Sequence, residues 1–497
     1  MIFHFDFIRK GLMQLWSYEL TRMLLITLAA HTHSISVGLT QGYSAVLLPQ
    51  ISNPNGTVHA TTEESSWVAS LGVISTPFGA LAAGLIVDVL GRKLTLIVTC
   101  LPYLVGWVCM AFANDVGLLY VARAITGFAS GMTTANFLYV AEVSSKQHRS
   151  MLSSLGSINV SFGLVIVYTL GFTTTWQKAA LIASSFSVLT AFAMLKVPES
   201  PSWLVKRGEF EEAKKALAWI RPDPLVAEAE LSAMVSSKIE ADQNKLQLTE
   251  ANKTPLKRLV HKIKLSARAI LLPTVYKPFS ILVMFFVFQQ GSGLYTCLFY
   301  STHIFKEFGT EYDENLITVS MGVFRFVMAF IGIFLMAKIG RRPLAIVSGT
   351  CMCVSLFFAC IHLSLRDYLP PYLDFIPLVS VLFYVGFSMT GFLPLPWILN
   401  SELFPLDHRG LFSGMVSFIG YFLIFISVKI YPDLMRLLKL EGLLWVFFAM
   451  TCLGTVFFYF FLPETKDKTL KEISMSFLKK GSADVEAGKS SGKDIQR

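Results

Sequence analysis

Long apolar stretches separated by short polar segments run along almost the whole chain. Each stretch holds about 18 or more residues, enough for a helix to cross a hydrocarbon core roughly 30 Å thick. We therefore predict about twelve membrane-spanning helices, with ends defined to within a few residues. The predicted spans cover residues 23–50, 66–89, 94–113, 116–141, 152–174, 179–198, 275–303, 315–337, 343–364, 375–400, 411–432 and 443–462.

The composition supports a membrane protein and excludes an ordinary soluble one. Hydrophobic residues make up 54% of the chain and charged residues only 15%, whereas soluble domains hold about 25% charged residues. The first apolar run starts after Arg22 and is too long for a removed signal peptide, so we expect it to remain as a helix.

Lysine and arginine fall mainly in alternate loops, whereas the loop at 50–66 has none. By the positive-inside rule, both termini and the 199–274 segment are predicted to be cytoplasmic. The net charge of +9 is explained by this placement and gives no reason to expect nucleic-acid binding. We expect a multi-pass protein of the plasma membrane that acts as a monomer in the lipid bilayer.

The outer loop at 50–66 carries the sequon that begins at Asn55, followed by Gly56 and Thr57. Because this loop is predicted to face outward, Asn55 is the candidate glycosylation site. The seven cysteines all lie inside apolar runs. They suggest buried packing residues, and we expect no metal site and no cofactor.

Three landmarks occur twice in the same order, which indicates a duplicated unit of six spans. The first is a Gly-Arg-basic triplet, the second a Glu and an Arg at the same spacing, and the third a Pro-Glu-hydroxyl triplet. Their two copies are Gly91-Arg92-Lys93 and Gly340-Arg341-Arg342, Glu142 with Arg149 and Glu402 with Arg409, and Pro198-Glu199-Ser200 and Pro463-Glu464-Thr465. Two units of six spans have the same orientation, which is the parallel-repeat arrangement of alternating-access carriers.

The predicted organisation has five parts. Residues 1–22 form a cytoplasmic N-terminus, 23–198 the first six-helix half, 199–274 a cytoplasmic helical insert, 275–465 the second half and 466–497 a cytoplasmic tail. Within the insert, 209–220 is predicted to be an amphipathic helix with a Glu211–Lys215 pair, and a second helix is expected near 225–245. A solvated linker and a regulatory element are both compatible with this segment.

Five motifs resemble those of the sugar porter family of the major facilitator superfamily. They are Gly84 with Asp88 and Gly91-Arg92-Lys93, then Pro198-Glu199-Ser200-Pro201, Gln289-Gln290-Gly291-Ser292-Gly293, Pro394 to Trp397, and Pro463-Glu464-Thr465. Among members of the family, the chain looks most like insect facilitated trehalose transporters and facilitative glucose transporters. The resemblance implies the major facilitator fold, an all-α membrane protein of twelve helices in two parallel repeats.

Charged residues at the predicted cytoplasmic helix ends form a candidate gate. Carboxylates and guanidinium groups there could pair between the halves when that side is shut and separate when it opens; interfacial charges that only snorkel are the alternative. The candidate gate residues are Asp88, Arg92, Glu142, Arg149, Glu199, Arg341, Glu402, Arg409 and Glu464. Ala337 stands where the second copy of the motif usually has an acid, so we expect an asymmetric gate.

Gln289, Gln290 and Trp397 are the candidates for sugar binding. A glutamine amide both donates and accepts hydrogen bonds and so matches sugar hydroxyl groups, although amides also link helices in membranes. Tryptophan offers an apolar face and an indole donor. Bending points are expected at Gly291 to Gly293 and at Gly391 to Pro396.

Several other candidate substrate-binding residues depart from the family pattern. Tyr295 and Arg325 stand at positions where the family commonly has asparagine. Gly420-Tyr421 stands where the family often has Asn-Trp, and Ser157 stands where glutamine is common. A mid-membrane arginine is costly unless it is paired or wet. We therefore expect Arg325 to face the cavity, where it could serve a hydroxyl-rich neutral ligand or an anionic one.

Proton-coupled relatives commonly have an aspartate where this chain has Ser44, directly after Gly42-Tyr43. No Asp or Glu lies near the middle of any predicted span, which favours uniport. His31 and His33 in the first span leave proton coupling as an alternative, because histidine titrates near neutral pH.

The sequence thus favours facilitative transport of a sugar of the trehalose or hexose class. One alternative is a carrier of another small solute, and Arg325 makes an anion a candidate for it. A second alternative is a sugar sensor that transports poorly. An enzyme is not expected, because no nucleotide-binding loop, metal cluster or catalytic triad pattern occurs.

Overall fold

The part of the chain that the structure describes is almost entirely α-helical. In this computed structural model it comprises residues 2–53, 56–145, 148–250, 271–309, 312–404, 409–466, 468 and 470–477.

Eleven helices precede the gap at 251–270 in the described residues. They are α1 (Ile2–Ile51), α2 (Thr62–Ile74), α3 (Thr76–Leu90), α4 (Arg92–Ala111), α5 (Val116–Met132), α6 (Thr134–Val143), α7 (Arg149–Thr173), α8 (Trp176–Leu195), α9 (Pro201–Arg207), α10 (Phe210–Ile220) and α11 (Pro224–Glu250).

The helices after the gap include several that are short or broken. They are α12 (Pro273–Gly291), α13 (Leu294–Phe299), α14 (Ser301–Glu307), α15 (Glu314–Ile339), α16 (Arg341–Ser364), α17 (Ile376–Ser388), α18 (Leu395–Glu402), α19 (Arg409–Phe461) and α20 (Leu470–Ser476). Two short 3₁₀ turns, Arg366–Tyr368 and Pro371–Leu373, connect α16 to α17.

The twelve predicted spans all have a counterpart in these helices. Within the described residues, eight segments are long and apolar enough to cross a membrane, and one of them, Phe412–Phe461, is long enough for two spans. Lys439 divides that segment, because its backbone (φ 55°, ψ 176°) is not helical. The remaining spans are the broken pairs α5–α6, α12–α13 and α17–α18, so the twelve-helix architecture is confirmed.

The chain divides into two compact units. The first contains Met1–Lys253, Leu298–His303 and Tyr312–Phe326, and the second contains Thr254–Cys297, Ile304–Glu311 and Val327–Arg497. The segment Leu298–His303 comes late in the chain but belongs to the first unit. The Tyr168 hydroxyl of that unit donates to the Leu298 carbonyl oxygen at 2.9 Å.

The insert is helical where the sequence predicts it, and α9 is an additional helix. The expected helices at 209–220 and 225–245 correspond to α10 and α11. The predicted Glu211–Lys215 pair is wrong. Lys215 Nζ instead donates to Glu212 Oε1 at 2.8 Å, and Glu212 is one residue closer to Lys215 along the same helix.

A buried arginine joins helices α10 and α11 of the insert to α1 of the first unit. Arg221 is 4% exposed; its Nε donates to Glu230 on α11 at 2.8 Å, and its Nη1 lies 3.5 Å from Glu19 on α1. Arg22, one turn along α1, donates to the Trp219 carbonyl oxygen at 2.8 Å. The described part of the insert is therefore held against α1 by Arg221 and Arg22.

Candidate functional site

The seventh span is broken where a bend is predicted. Helix α12 ends at Gly291 and α13 begins at Leu294. Between them, Gly293 has φ +79°, and a Cβ atom there would lie 2.3 Å from the Phe447 ring. Both the left-handed backbone and the ring require glycine at this position.

The tenth span is broken as well, and Gln289 binds the backbone that the break exposes. Helix α17 ends at Ser388 and α18 begins at Leu395. Gln289 Nε2 donates to the carbonyl oxygens of Phe392 at 2.8 Å and Leu393 at 2.9 Å. These carbonyl groups have lost helical partners, so the Gln289 amide stabilises the break.

Gln290 presents a buried acceptor. Its Nε2 donates to Gln289 Oε1 at 3.1 Å, and the residue is 4% exposed. Its Oε1 atom has no hydrogen-bond partner among the described residues. An unsatisfied buried amide oxygen costs about 1–3 kcal/mol, so Gln290 is the amide of this pair that can accept from a ligand.

Three aromatic rings lie together in the same unit as these amides. The Trp397 ring centroid is 4.8 Å from Phe286 in an edge-to-face arrangement and 4.9 Å from Tyr421. Trp397 and Tyr421 are both half-buried. The group offers a flat apolar surface beside a phenol hydroxyl, which suits the mixed C–H and O–H surface of a sugar ring.

The other predicted substrate-binding residues are distributed over both units. Tyr295 is buried on α13 in the second unit. Arg325 and Ser157 belong to the first unit. Arg325 is 3% exposed on α15, and Ser157 is exposed on α7.

In the first unit, four of the predicted gate residues form one cluster at helix ends. Arg92 donates to both carboxylate oxygens of Glu142, at 2.8 and 2.7 Å, and lies 3.7 Å from Asp88. Glu199 accepts from the backbone N–H groups of Arg92 at 3.0 Å and Lys93 at 3.1 Å. Glu199 thus caps the N-terminus of α4, where the helix dipole favours a negative charge.

The second unit repeats this cluster. Arg341 Nη2 donates to Glu402 at 3.0 Å, and Glu464 accepts from the backbone N–H groups of Arg341 at 3.0 Å and Arg342 at 3.1 Å. Burial acts to raise the pKa of Glu464, but four backbone N–H donors lower that pKa below its ordinary value. The carboxylate is therefore held in its charged form at the start of α16.

Three predicted residues are not placed in these clusters. Arg149 is exposed at the start of α7 and makes no ion pair within the described part of the chain. The Arg409 side chain and Asn55 lie outside the described residues, so the roles predicted for them stay predictions.

Arg123 is a polar centre that sequence reasoning missed. It is fully buried on α5 and donates to the carbonyl oxygens of Val68 at 3.0 Å and Thr40 at 3.1 Å and to Ser44 Oγ at 2.8 Å. The signal was present in the sequence, because Arg123 is a charged residue inside an apolar run, like Arg325.

The two histidines of α1 are both held in polar contacts. His31 Nε2 lies 3.0 Å from the Leu152 carbonyl oxygen, so that nitrogen carries the proton, and Nδ1 accepts from Asn136 Nδ2 at 3.0 Å. His33 Nε2 likewise donates to the Leu96 carbonyl oxygen at 2.9 Å. These hydrogen bonds suit neutral imidazoles with a packing role.

Comparison with known proteins agrees with this architecture. Residues 26–477 match the family model described as "Sugar (and other) transporter". The chain is 29% identical over 461 residues to the facilitated trehalose transporter Tret1 of Apis mellifera ligustica, covering 92% of this chain and 88% of the relative. It is 30% identical to Tret1 of Polypedilum vanderplanki with the same coverage. It spans about half of the longer Trehalose transporter 1 of Drosophila melanogaster, at 29% identity.

Solved structures share the fold. The proton:xylose symporter XylE bound to 6-bromo-6-deoxy-D-glucose aligns with a TM-score of 0.70 at 21% identity, over 92% of this chain and 99% of that one. The inward-open form of XylE from E. coli aligns with a TM-score of 0.71 at 20% identity, over 91% and 99%. Both are major facilitator structures, and the two-repeat, twelve-helix fold predicted from the sequence is theirs.

Proposed function

Because the chain belongs to the sugar (and other) transporter family, we propose that it carries a sugar of the trehalose or hexose class across a membrane by alternating access. The relatives named as facilitated trehalose transporters support this substrate class.

The Gln290 amide oxygen is the observation that carries the proposal. It is a buried acceptor with no partner among the described residues, and a sugar hydroxyl can donate to it. Gln289, whose donors hold Phe392 and Leu393, positions Gln290 through their mutual hydrogen bond. The Trp397 and Tyr421 rings supply the apolar surface for the ring of the sugar.

Transport is proposed to be uniport. Among the described residues, the buried Arg123 guanidinium donates to three neutral oxygens, one of which is Ser44 Oγ. A carboxylate at position 44 would give this site a group that gains and loses a proton, whereas serine does not titrate. His31 and His33 are engaged by backbone carbonyl groups, which favours a packing role for both.

The proposed location is the plasma membrane, with a monomer whose termini are both cytoplasmic. Glu19 and Arg22 at the start of the first span contact the insert, so this end of α1 and the insert lie on one side. The lysine- and arginine-rich loops place that side in the cytoplasm. The two charge clusters around Glu199 and Glu464 are proposed to act there as the cytoplasmic gate.

A small organic anion is the second candidate substrate. The buried Arg325 guanidinium favours it, because a cation within a membrane span stabilises a negative charge nearby. The two candidates differ in the charge of the solute and can be separated directly.

Uptake by oocytes tests the two candidates against each other. Cells expressing the protein would be given radiolabelled trehalose, glucose or a monocarboxylate, with water-injected oocytes as the control. Saturable uptake of either sugar is expected. Anion uptake in the absence of sugar uptake would contradict the proposal and favour the second candidate.

Replacement of Gln290 tests the binding site. Gln290→Ala removes the free acceptor, and loss of one hydrogen bond of about 0.5–1.5 kcal/mol corresponds to a roughly 2- to 12-fold rise in KM for the sugar. Uptake kinetics at matched surface expression measure it. A KM equal to that of the wild type would show that Gln290 does not contact the substrate.

A further inference from the structure

Two membrane helices of the second unit approach each other closely around a pair of cysteines. Gly349 on α16 faces Thr455 on α19, where a Cβ atom at position 349 would lie 2.2 Å from Thr455 Oγ1. Glycine at such a contact lets two helices pack closely.

Cys353 and Cys452 meet next to this contact. Their Sγ atoms are 3.3 Å apart, with the Cys452 thiol directed at the Cys353 sulfur. Cys353 Sγ also lies 3.9 Å from Thr455 Oγ1. Both cysteines are free and half-buried. A disulfide bond is about 2.05 Å long, so the sulfur atoms need to approach by only about 1 Å to bond.

The pair lies deep in the membrane. Cys353 is about midway along α16, which runs from Arg341 to Ser364, and Cys452 is near the middle of the span that follows Lys439. Hydrocarbon disfavours charged groups, so a reagent that reaches these thiols must be neutral and lipid-soluble.

We propose that Cys353 and Cys452 form a dithiol site that a neutral, lipid-soluble two-electron oxidant closes to a disulfide joining α16 to α19. With molecular iodine, the two thiols lose two protons and two electrons as the S–S bond forms. The I–I bond breaks, and the iodine leaves as two iodide ions. A reducing agent such as dithiothreitol restores both thiols.

Peptide mapping of the full-length protein tests the site. The protein in native membranes would be treated with iodine, alkylated with N-ethylmaleimide, digested and analysed by mass spectrometry without reduction. We expect one dominant linked peptide joining Cys353 to Cys452, which disappears after dithiothreitol. Recovery of both cysteines as alkylated peptides, with no linked species, would overturn the proposal.

Serine variants give the matched controls. Cys353→Ser and Cys452→Ser should each abolish the linked peptide, whereas Cys351→Ser should leave it unchanged. Cys351 is on the same helix, but two residues away it points about 200° around the helix axis. Linked peptides that include Cys351, or a link that persists in Cys353→Ser, would contradict the assignment. The wild-type map decides the question even where a variant fails to fold.

Discussion

Arg123 is a buried charge whose described hydrogen-bond partners are all neutral, and this bears on whether transport is coupled to protons. Arg123 is completely inaccessible, and its guanidinium donates to two backbone carbonyl groups and to Ser44 Oγ. Such a cation in a membrane costs several kcal/mol unless it is solvated by dipoles, which the three oxygens do here. In its described hydrogen bonds, the Arg123 guanidinium is therefore solvated by neutral oxygens and not by a carboxylate.

Replacement of Ser44 by aspartate should make transport depend on pH. Ser44 Oγ lies 2.8 Å from Arg123 Nη2, so Ser44→Asp places a titratable carboxylate against the guanidinium. At neutral pH the ion pair would hold Arg123 in place, and at acidic pH protonation would release it. Sugar uptake by the variant, measured at acidic and neutral pH, is expected to be faster under acidic conditions, whereas the wild type should change little.

Ser44→Asn is the matched control, because it has nearly the same shape and does not titrate. Its pH profile should follow that of the wild type. If the asparagine variant acquired the same pH dependence as the aspartate variant, proton exchange at position 44 would not be the cause.

At the scale of the element, the break in the seventh span requires a glycine. Gly293→Ala would place a side chain on a left-handed backbone at φ +79° and against the Phe447 ring. The backbone cost alone is about 1–2 kcal/mol, and the ring contact adds to it. We expect a lower thermal unfolding midpoint in detergent. Gly414→Ala is the control, since nothing lies within 4 Å of its Cβ position, and an equal loss in both variants would contradict this explanation.

The insert is a second element whose packing can be tested. Arg221→Ala removes the hydrogen bonds from a buried guanidinium to Glu230 and the Glu19 contact, at a cost of about 1–3 kcal/mol. Limited trypsin digestion should cut within 199–274 several-fold faster in the variant.

Glu212→Ala is the matched control for the insert, because it leaves every trypsin site in place. It removes an exposed ion pair with Lys215, and exposed pairs contribute about 0–1 kcal/mol. Cleavage at the wild-type rate in Arg221→Ala would show that Arg221 does not hold the insert in place.

These elements also show what the sequence could predict. Gly291 to Gly293 and Gly391 to Pro396 were predictable as breaks because glycine and proline disfavour helix locally. The docking of the insert was not, because it depends on Arg221 meeting Glu19 some 200 residues earlier in the chain. The different roles of Gln289 and Gln290 could not be predicted either. They depend on the positions of the carbonyl groups of the tenth span, which no local sequence pattern gives.

Across the whole molecule, the repeat in the sequence is accompanied by a repeat of the same helix caps and ion pairs. Glu199 and Glu464 cap α4 and α16 in the same way, each accepting from the first two backbone N–H groups of its helix. Arg92 pairs with Glu142 as Arg341 pairs with Glu402. The repeat predicted from three landmarks is thus preserved as two ion-pair clusters, one in each unit.

Uniport by the whole molecule predicts equilibration without accumulation. Proteoliposomes holding the purified protein should take up sugar until the internal and external concentrations are equal, and a proton gradient imposed in either direction should not move that end point. The physical reason is that a carrier can couple to protons only through a group that changes protonation during the cycle, and serine at position 44 cannot. Preloaded unlabelled sugar should accelerate entry of labelled sugar, since the loaded carrier then returns with cargo. Accumulation above the external concentration that a protonophore abolishes would show that another residue carries the proton, with His31 and His33 as the first to replace.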